Sequence, residues 1–453
     1  MSGVSVLLKR QALEIALESL RECAADRLVR AYLEKLQTTF EAPDFFRSSS
    51  KVFLIAAGKA SLPMAAAAGE ILGWHRVEGL IATRKRAGIE PHGLPLQVIE
   101  AGHPLPDAKS LLAGNKALEE LKRLKPGVPV LFLISGGASA LFEALPDGIS
   151  LKCLRSLTES LLRSGIPIEE INAVRVALSN VKGGRLLEAA GDRECLTLIL
   201  SDVVGDRLEA IGSGPTVPRC DNLSEKAIEV LKRVDLWETL DRALKAFLET
   251  KAATWSGASP FPKAKIELVG NNRILCETAI RKLKALGFNT LFLGSTLSGE
   301  AKETGRLMAD LAKEIIVSGN PVATPAAIVS GGETVVTLGR TPSGVGGPNQ
   351  EVALSFAIEA EGLSDAVLLS IDTDGYDGTS AYAGGTADGK TFARISKSGI
   401  HPRKELEEHN ATIALESGGG LVDTGDTNNN LNDFRVLLVG APALCNDGKE
   451  WKY

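Results

Sequence analysis

The sequence predicts an α/β protein with mainly parallel sheets, and three observations carry that prediction. Val52–Ala57, Val128–Ile134 and Leu196–Leu200 are apolar runs without alternation, as expected of strands buried on both faces, and Val367–Ile371 reads as a further strand run. Segments of helical periodicity separate them. Each run also ends in small or charged residues: Gly58-Lys59, Ser135-Gly136-Gly137, Ser201-Asp202 and Asp372-Thr373-Asp374. In open α/β sheets, ligands sit outside the carboxyl ends of the strands.

The first 40 residues read as helix, with Leu13, Leu17 and Leu20 on one face and Pro43 beyond its end. The alternation then starts with the Val52–Ala57 strand and an alanine-rich helix to about Leu72. Gly79–Thr83 and Leu96–Glu100 are short strands, and Asp107 caps a helix running to Leu124. After the Val128–Ile134 strand, helices fill Leu151 to Ala190. The Leu196–Leu200 strand follows, then helices near Ser224–Val234 and Leu236–Glu249. Thr250–Lys263 mixes small residues, glycine and two prolines and reads as a linker. Residues 1–250 are thus expected to form a Rossmann-like domain, with the N-terminal helix on it or on the second domain. Residues 264–445 are expected to form a mixed-sheet domain.

In that second half, strands are expected at Ile266–Val269, Thr290–Leu293 and Ala326–Val329, with helices at Asn272–Leu286, Glu300–Ser318 and Glu351–Glu361. Ala326–Val329 is read as ending in a Ser330-Gly331-Gly332-Glu333 loop, and Thr334–Leu338 as the second arm of a local antiparallel pair.

The chain has 453 residues, 44% hydrophobic and 24% charged, with a net charge of −5. A basic footprint for nucleic acid is missing, so a small anionic substrate would need locally placed Lys and Arg. Six dispersed cysteines without a C-x-x-C pair read as free thiols in a reducing, cytoplasmic setting. The N-terminus does not read as a signal peptide, and no apolar run approaches a membrane span.

The strand ends carry the chemistry. Glycine turns offer backbone N–H groups to oxyanions. Lys59 adds a positive charge at one such turn, and Asp202, Asp206, Asp372 and Asp374 offer hard oxygen ligands for Mg²⁺. Lysine, N–H cradle and acid with Mg²⁺ are what phosphoryl transfer requires, since its catalysis is mostly positioning and charge neutralisation. Taken alone, Leu196–Pro218 reads equally as a capped strand exit or as a site. Arg175, Lys182 and Arg185 lie near Gly183-Gly184, where they could meet a carboxylate or phosphate or form a solvated face. Gly384–Thr391 matches G-x-x-x-x-G-K-T but follows no strand run and is read as accidental. No G-x-G-x-x-G stands between a strand and a helix, which argues against a dinucleotide-dependent oxidoreductase.

Taken together, AAGKAS (56–61), HPLPD (103–107), SGGASAL (135–141), INAVR (171–175), KGGRL (182–186), SDVVGD (201–206) and SGPTVP (213–218) are distinctive. With SGGET (330–334), GGPNQE (346–351) and DTDGYDGTS (372–380), they make the chain resemble the class II glycerate kinases, whose C-terminal portion is the MOFRL domain. The resemblance implies two α/β domains with the active site in the cleft between them. It also implies ATP-dependent, Mg²⁺-assisted phosphorylation of D-glycerate to 2-phosphoglycerate. On that footing Lys59 is the catalytic lysine, and Asp202 orients the hydroxyl or holds metal together with Asp206. Ser135, Gly136, Gly137 and Ala138, with Arg175 or Lys182, take the glycerate carboxylate. Asn271, Asn272, Gly331, Gly332, Glu333, Asp372 and Asp374 take nucleotide. The chain departs from the family at Pro348, commonly Arg, and at Ala177, commonly basic; Arg340 is a nearby cation that could substitute. A homodimer is compatible with this reading, while nucleic acid and membrane are not expected partners. The alternatives are a hydroxypyruvate reductase and a non-catalytic nucleotide- or metabolite-binding relative.

Overall fold

The computed structural model describes residues 3–38, 51–85, 94–254, 264–339 and 344–442. It divides into two compact units, Ala25–Val269 and Met1–Ala24 together with Gly270–Tyr453.

In the unit Ala25–Val269, the strands are β1 (Val52–Ala57), β2 (Val77–Arg84), β3 (Gln97–Ala101), β4 (Val130–Ser135), β5 (Cys195–Leu200) and β6 (Ala264–Gly270). They form one sheet in the order β3-β2-β1-β4-β5-β6. The pairs β3/β2, β2/β1, β1/β4 and β4/β5 are parallel. β1, β4 and β5 are buried along their whole length, as their unbroken apolar runs require. This is the doubly wound order, and the chain reverses direction across the sheet between β1 and β4. Asp107 caps the helix Ala108–Arg123 in a reciprocal box with Ser110. Placement of β6 differs from the sequence expectation, which put this strand in the second half. Ala264, Ile266 and Leu268 pack on the first core, so the sheet extends past the proposed linker. Residues 255–263 of that linker lie outside the described residues, and Thr250–Ala253 close the helix Arg242–Ala253.

In the other unit, the helical first 40 residues resolve into Gly3–Glu22 here and Ala25–Gln37 in the unit above. The helix Gly3–Glu22 packs on β9 (Ala366–Asp372), β12 (Asp433–Val439) and the helix Asn272–Ala285. Lys9 reaches Asp388 at 3.2 Å, and Asn429 Nδ2 donates to the Cys23 carbonyl at 2.8 Å. With β7 (Asn289–Glu300), β8 (Ala326–Val335), β10 (Gly384–Asp388) and β11 (Leu421–Val422), the sheet order is β11-β10-β9-β12-β8-β7. Only β7/β8 is parallel among these pairs.

Two expectations are corrected here. β12 escaped sequence reading, yet it inserts between β8 and β9 and makes the mixed sheet mostly antiparallel. β8 does not end at Ser330: it runs unbroken through Ser330-Gly331-Gly332-Glu333, so neither the loop nor the local hairpin forms. The two glycines serve close approach inside the strand. A Cβ on Gly332 would strike the Leu297 backbone, and one on Gly331 would strike the Asn272 amide. Gly384–Thr391, set aside as an accidental phosphate-loop match, is β10 and the start of the helix Thr391–Lys397.

Candidate active site

The carboxyl ends of β1 and β4 form the crevice that a doubly wound sheet presents to a ligand. Their turns are bound to each other. Lys59 N donates to the Gly136 carbonyl at 2.8 Å, and Ala60 N donates to Ser135 Oγ at 3.1 Å. Ser61 Oγ donates to the Gly58 and Ala82 carbonyls at 2.8 and 2.9 Å. Gly58, at φ 130°, is required because a Cβ there would collide with Ser135.

Three side chains converge on Gly136-Gly137. The Asp202 carboxylate fills the space that a Cβ on Gly136 would take. At Gly137, a Cβ would lie 3.0 Å from Lys59 Cγ and 3.3 Å from His103 Nε2. Sequence reading assigned no role to His103. Its signal was the HPLPD motif, but a lone histidine without metal spacing pointed to no chemistry.

Next to this turn, Arg175 donates to the Ser139 carbonyl at 3.3 Å and to Asn172 Oδ1 at 3.4 Å. Ser139 Oγ and Ser213 Oγ share a 2.8 Å hydrogen bond. The Gly212–Thr216 loop is therefore a brace for the turn. Through Ser213 O and Gly214 O it also accepts from Gly183 N and Gly184 N at 3.0 and 2.8 Å.

Lys182 corrects the sequence expectation. It is 1% exposed and ion-paired to Glu143, itself fully buried, so it faces the protein interior and not a substrate carboxylate. Glu143 also accepts from Ser179 Oγ and from Ala144 N at 3.0 Å. Burial pushes the Lys182 ammonium down to about 8, against the pull of Glu143. Burial lowers Arg175 in the same way, and Glu143 opposes it there too. Burial and Glu143 thus act on both cations, and the Asp202 carboxylate lies at Gly136 of the neighbouring turn.

In the other unit, the polar ends of β8, β9 and β12 lie side by side. Gly332, Asp433 and Asp372 are register partners across the three strands, and Ser330, Arg435 and Ser370 form the next row. Asp372 is pushed well above the usual carboxylate range by burial first, then by Asp374. Its Oδ1 accepts from Asp374 N at 3.0 Å. Asn271 caps the helix Asn272–Ala285, accepting from Ile274 N at 2.9 Å. Asn272 Nδ2 donates to the Leu431 and Asp433 carbonyls at 2.6 and 2.8 Å. Asn272 therefore meets Gly331 on one face of the sheet end, while Gly332 and Asp372 share a row on the other, with Asp374 bound to Asp372. Glu333 is exposed near the end of β8, and Asn271 serves as a helix cap.

The two departures from the family pattern have structural contexts. Pro348 is the first residue of the helix Pro348–Glu359, where a missing N–H is harmless. The next two amides, Asn349 N and Gln350 N, donate to Asp377 at 3.0 and 2.8 Å. This helix N-terminus is thus satisfied from within. Ala177 is 2% exposed at the end of the helix Ile168–Ala177, a position with no room for a solvated cation. Arg340 lies outside the described residues.

Among the described residues, no group of three or more His, Cys, Asp or Glu side chains could hold a metal by itself. Mg²⁺ does not require one, because it binds through one or two carboxylates plus substrate phosphates. Asp202 and Asp206, half-buried on the loop after β5, have the hard oxygen chemistry that such a site uses.

A doubly wound sheet with lysine, glycine turn and carboxylate at its switch point defines an α/β protein of the class that takes its ligand at the strand ends. Residues 11–249 match a domain of unknown function (DUF4147), and residues 326–433 match the MOFRL family. The D-glycerate 2-kinase of Thermotoga maritima is 38% identical over 95% of this chain and 98% of its own length. The glycerate 2-kinase of Pyrococcus horikoshii is 41% identical over 87% of this chain and 88% of its own. A crystal structure of glycerate kinase from Thermotoga maritima superposes with a TM-score of 0.85 at 37% identity, covering 95% of this chain and 99% of that one. The chain belongs to the class II glycerate kinase family.

Proposed function

We propose that the protein is an ATP-dependent kinase that phosphorylates D-glycerate to 2-phosphoglycerate. The observation that carries this reading is the convergence of Lys59, His103 and Asp202 on Gly136-Gly137, with Arg175 bound to the same turn. The glycerate carboxylate is held by the Ser135–Ala138 turn and by Arg175, which is bound to the Ser139 carbonyl. Asp202 orients the C2 hydroxyl and accepts its proton as the oxygen attacks the γ-phosphorus of ATP. The P–O bond to the β-phosphate breaks, and ADP leaves. Lys59 neutralises charge on the transferred phosphoryl group, a form of stabilisation that acts on the transition state. His103 adds a donor beside Lys59. Asp202 and Asp206 would hold Mg²⁺, which would supply charge neutralisation on the nucleotide phosphates. Nucleotide is assigned to the other unit, to the strand-end group of Gly331, Gly332, Glu333, Asn272, Asp372 and Asp374, with Asn271 capping the helix that carries Asn272.

One observation bears on the reductase alternative. The sheet has the strand order of dinucleotide-binding domains, but its first turn is closed. Lys59 N and Ala60 N are already bound to the β4 turn, so the amides a pyrophosphate would need there are occupied. Incubation with hydroxypyruvate and NADH or NADPH is expected to give no oxidation of the cofactor. Incubation with D-glycerate, ATP and Mg²⁺ is expected to give phosphoglycerate.

A further inference from the structure

Arg435 is the third residue of β12, between Phe434 and the apolar run Val436–Val439, and is 0% exposed. Its Nη2 donates to Asp433 Oδ2 and, at 2.7 Å, to Thr334 Oγ1. Its Nε and Nη1 have no hydrogen-bond partner among the described residues. A buried arginine with unsatisfied donors is destabilising relative to an apolar side chain of similar volume. Core packing therefore does not account for it.

What the arginine holds is Asp433. That carboxylate accepts from Thr334 N at 2.8 Å, from Thr334 Oγ1 at 3.0 Å and from Asn349 Nδ2 at 2.6 Å, besides Arg435. Thr334 closes the strand stretch Gly331-Gly332-Glu333, and Asn349 opens the helix Pro348–Glu359. Asn349 in turn accepts from Ser370 Oγ at 2.6 Å, on β9 two residues before Asp372. Asp433 thus fixes three neighbours at one end of the sheet: β8, β9 through Asn349, and the helix.

We propose that Asp433 and Arg435 are positioning residues for the nucleotide, setting the Gly331–Glu333 backbone and the Asp372 strand end that meet ATP. This rests on the reading that this strand-end face, and not the β1/β4 turn, takes the nucleotide. Neither residue is placed in contact with substrate.

The test is steady-state kinetics and nucleotide-induced thermal shift on the full chain. Removing Arg435 alone leaves a buried unpaired carboxylate and risks unfolding. The informative variants are therefore Arg435→Lys, Thr334→Val, and Asp433→Asn combined with Arg435→Met, which removes both charges together. The double variant is expected to raise the KM for ATP by about tenfold or more while the KM for glycerate stays within about twofold. Arg435→Lys is expected to recover part of that loss, and Thr334→Val to show an intermediate rise. A folded double variant with the parent's KM for ATP overturns the proposal. So does a rise confined to the KM for glycerate. Glu333→Ala, at an exposed position, separates the two readings. If it weakens the ATP-induced shift while the double variant does not, positioning alone fails. If neither weakens it, the nucleotide face itself lies elsewhere.

Discussion

At the scale of single residues, the account makes Lys59 the group with the largest effect. Its backbone is fixed by the β4 turn, a bond that substitution of the side chain leaves in place, and its side chain lies along Gly137. Lys59→Ala is expected to lower kcat by about 10²–10³-fold, the range seen when one stabilising donor is lost, with an unchanged melting temperature. A variant retaining parental kcat contradicts the role. His103→Ala is expected to have a smaller effect of about tenfold on kcat/KM, the size of losing one hydrogen bond to a charged group. Lys182 illustrates the opposite outcome. It is buried against Glu143, so Lys182→Ala is expected to act on stability, by about 3–5 kcal/mol, since it strands a buried carboxylate. Chemical denaturation measures that loss, and a variant as stable as the parent would remove the pair's structural role.

At the scale of elements, the helix Pro348–Glu359 carries a pH signature. Asp377 caps it, yet burial pushes this carboxyl up to about 7 against the hydrogen bonds from Asn349 and Gln350. A carboxyl raised in the folded state binds its proton more tightly there than in the unfolded chain. Its stabilising contribution is therefore full below the unfolded value near 4 and is lost as pH rises through 7, by up to about 4 kcal/mol. Asp372, raised by burial in the same way, contributes with the same sign. Stability curves of the parent between pH 5 and 8 are expected to fall more steeply than those of Asp377→Asn; identical slopes contradict the assignment.

The same scale shows what the sequence could and could not reveal. β1, β4 and β5 were legible because a strand buried on both faces is apolar at every position, and their polar ends marked the crevice. The Asp107 cap was legible from local chemistry. β12 was not, because Asp433 and Arg435 interrupt its pattern, and only the tertiary network explains two charged residues in a buried strand. β8 was cut short in sequence reading because Gly331-Gly332 looks like a turn, whereas the glycines admit neighbouring groups within a continuing strand. Lys182 was indistinguishable in sequence from Arg175, since burial is decided by elements distant along the chain.

At the scale of the whole molecule, the two units supply different chemistry. One offers Lys59, His103 and Asp202 at a glycine turn, and the other a polar strand-end face built on Asp433 and Arg435. Among the described residues, no helix is long and apolar enough to cross a membrane. If Asp202 and Asp206 hold Mg²⁺, chelation is expected to abolish turnover and added Mg²⁺ to restore it. Asp206→Asn would then raise the Mg²⁺ concentration for half-maximal rate by about tenfold, within the range of losing one supporting ligand. Unchanged Mg²⁺ dependence would place the metal on other groups.

The central claim is the reaction itself, and the most direct measurement identifies its product. Purified protein, D-glycerate, ATP and Mg²⁺ are incubated, ADP release is followed, and the organic phosphate is resolved by ³¹P NMR. The account predicts stoichiometric ADP and 2-phosphoglycerate. ADP release without phosphoglycerate, or no consumption of ATP while D-glycerate and Mg²⁺ are saturating, would contradict it.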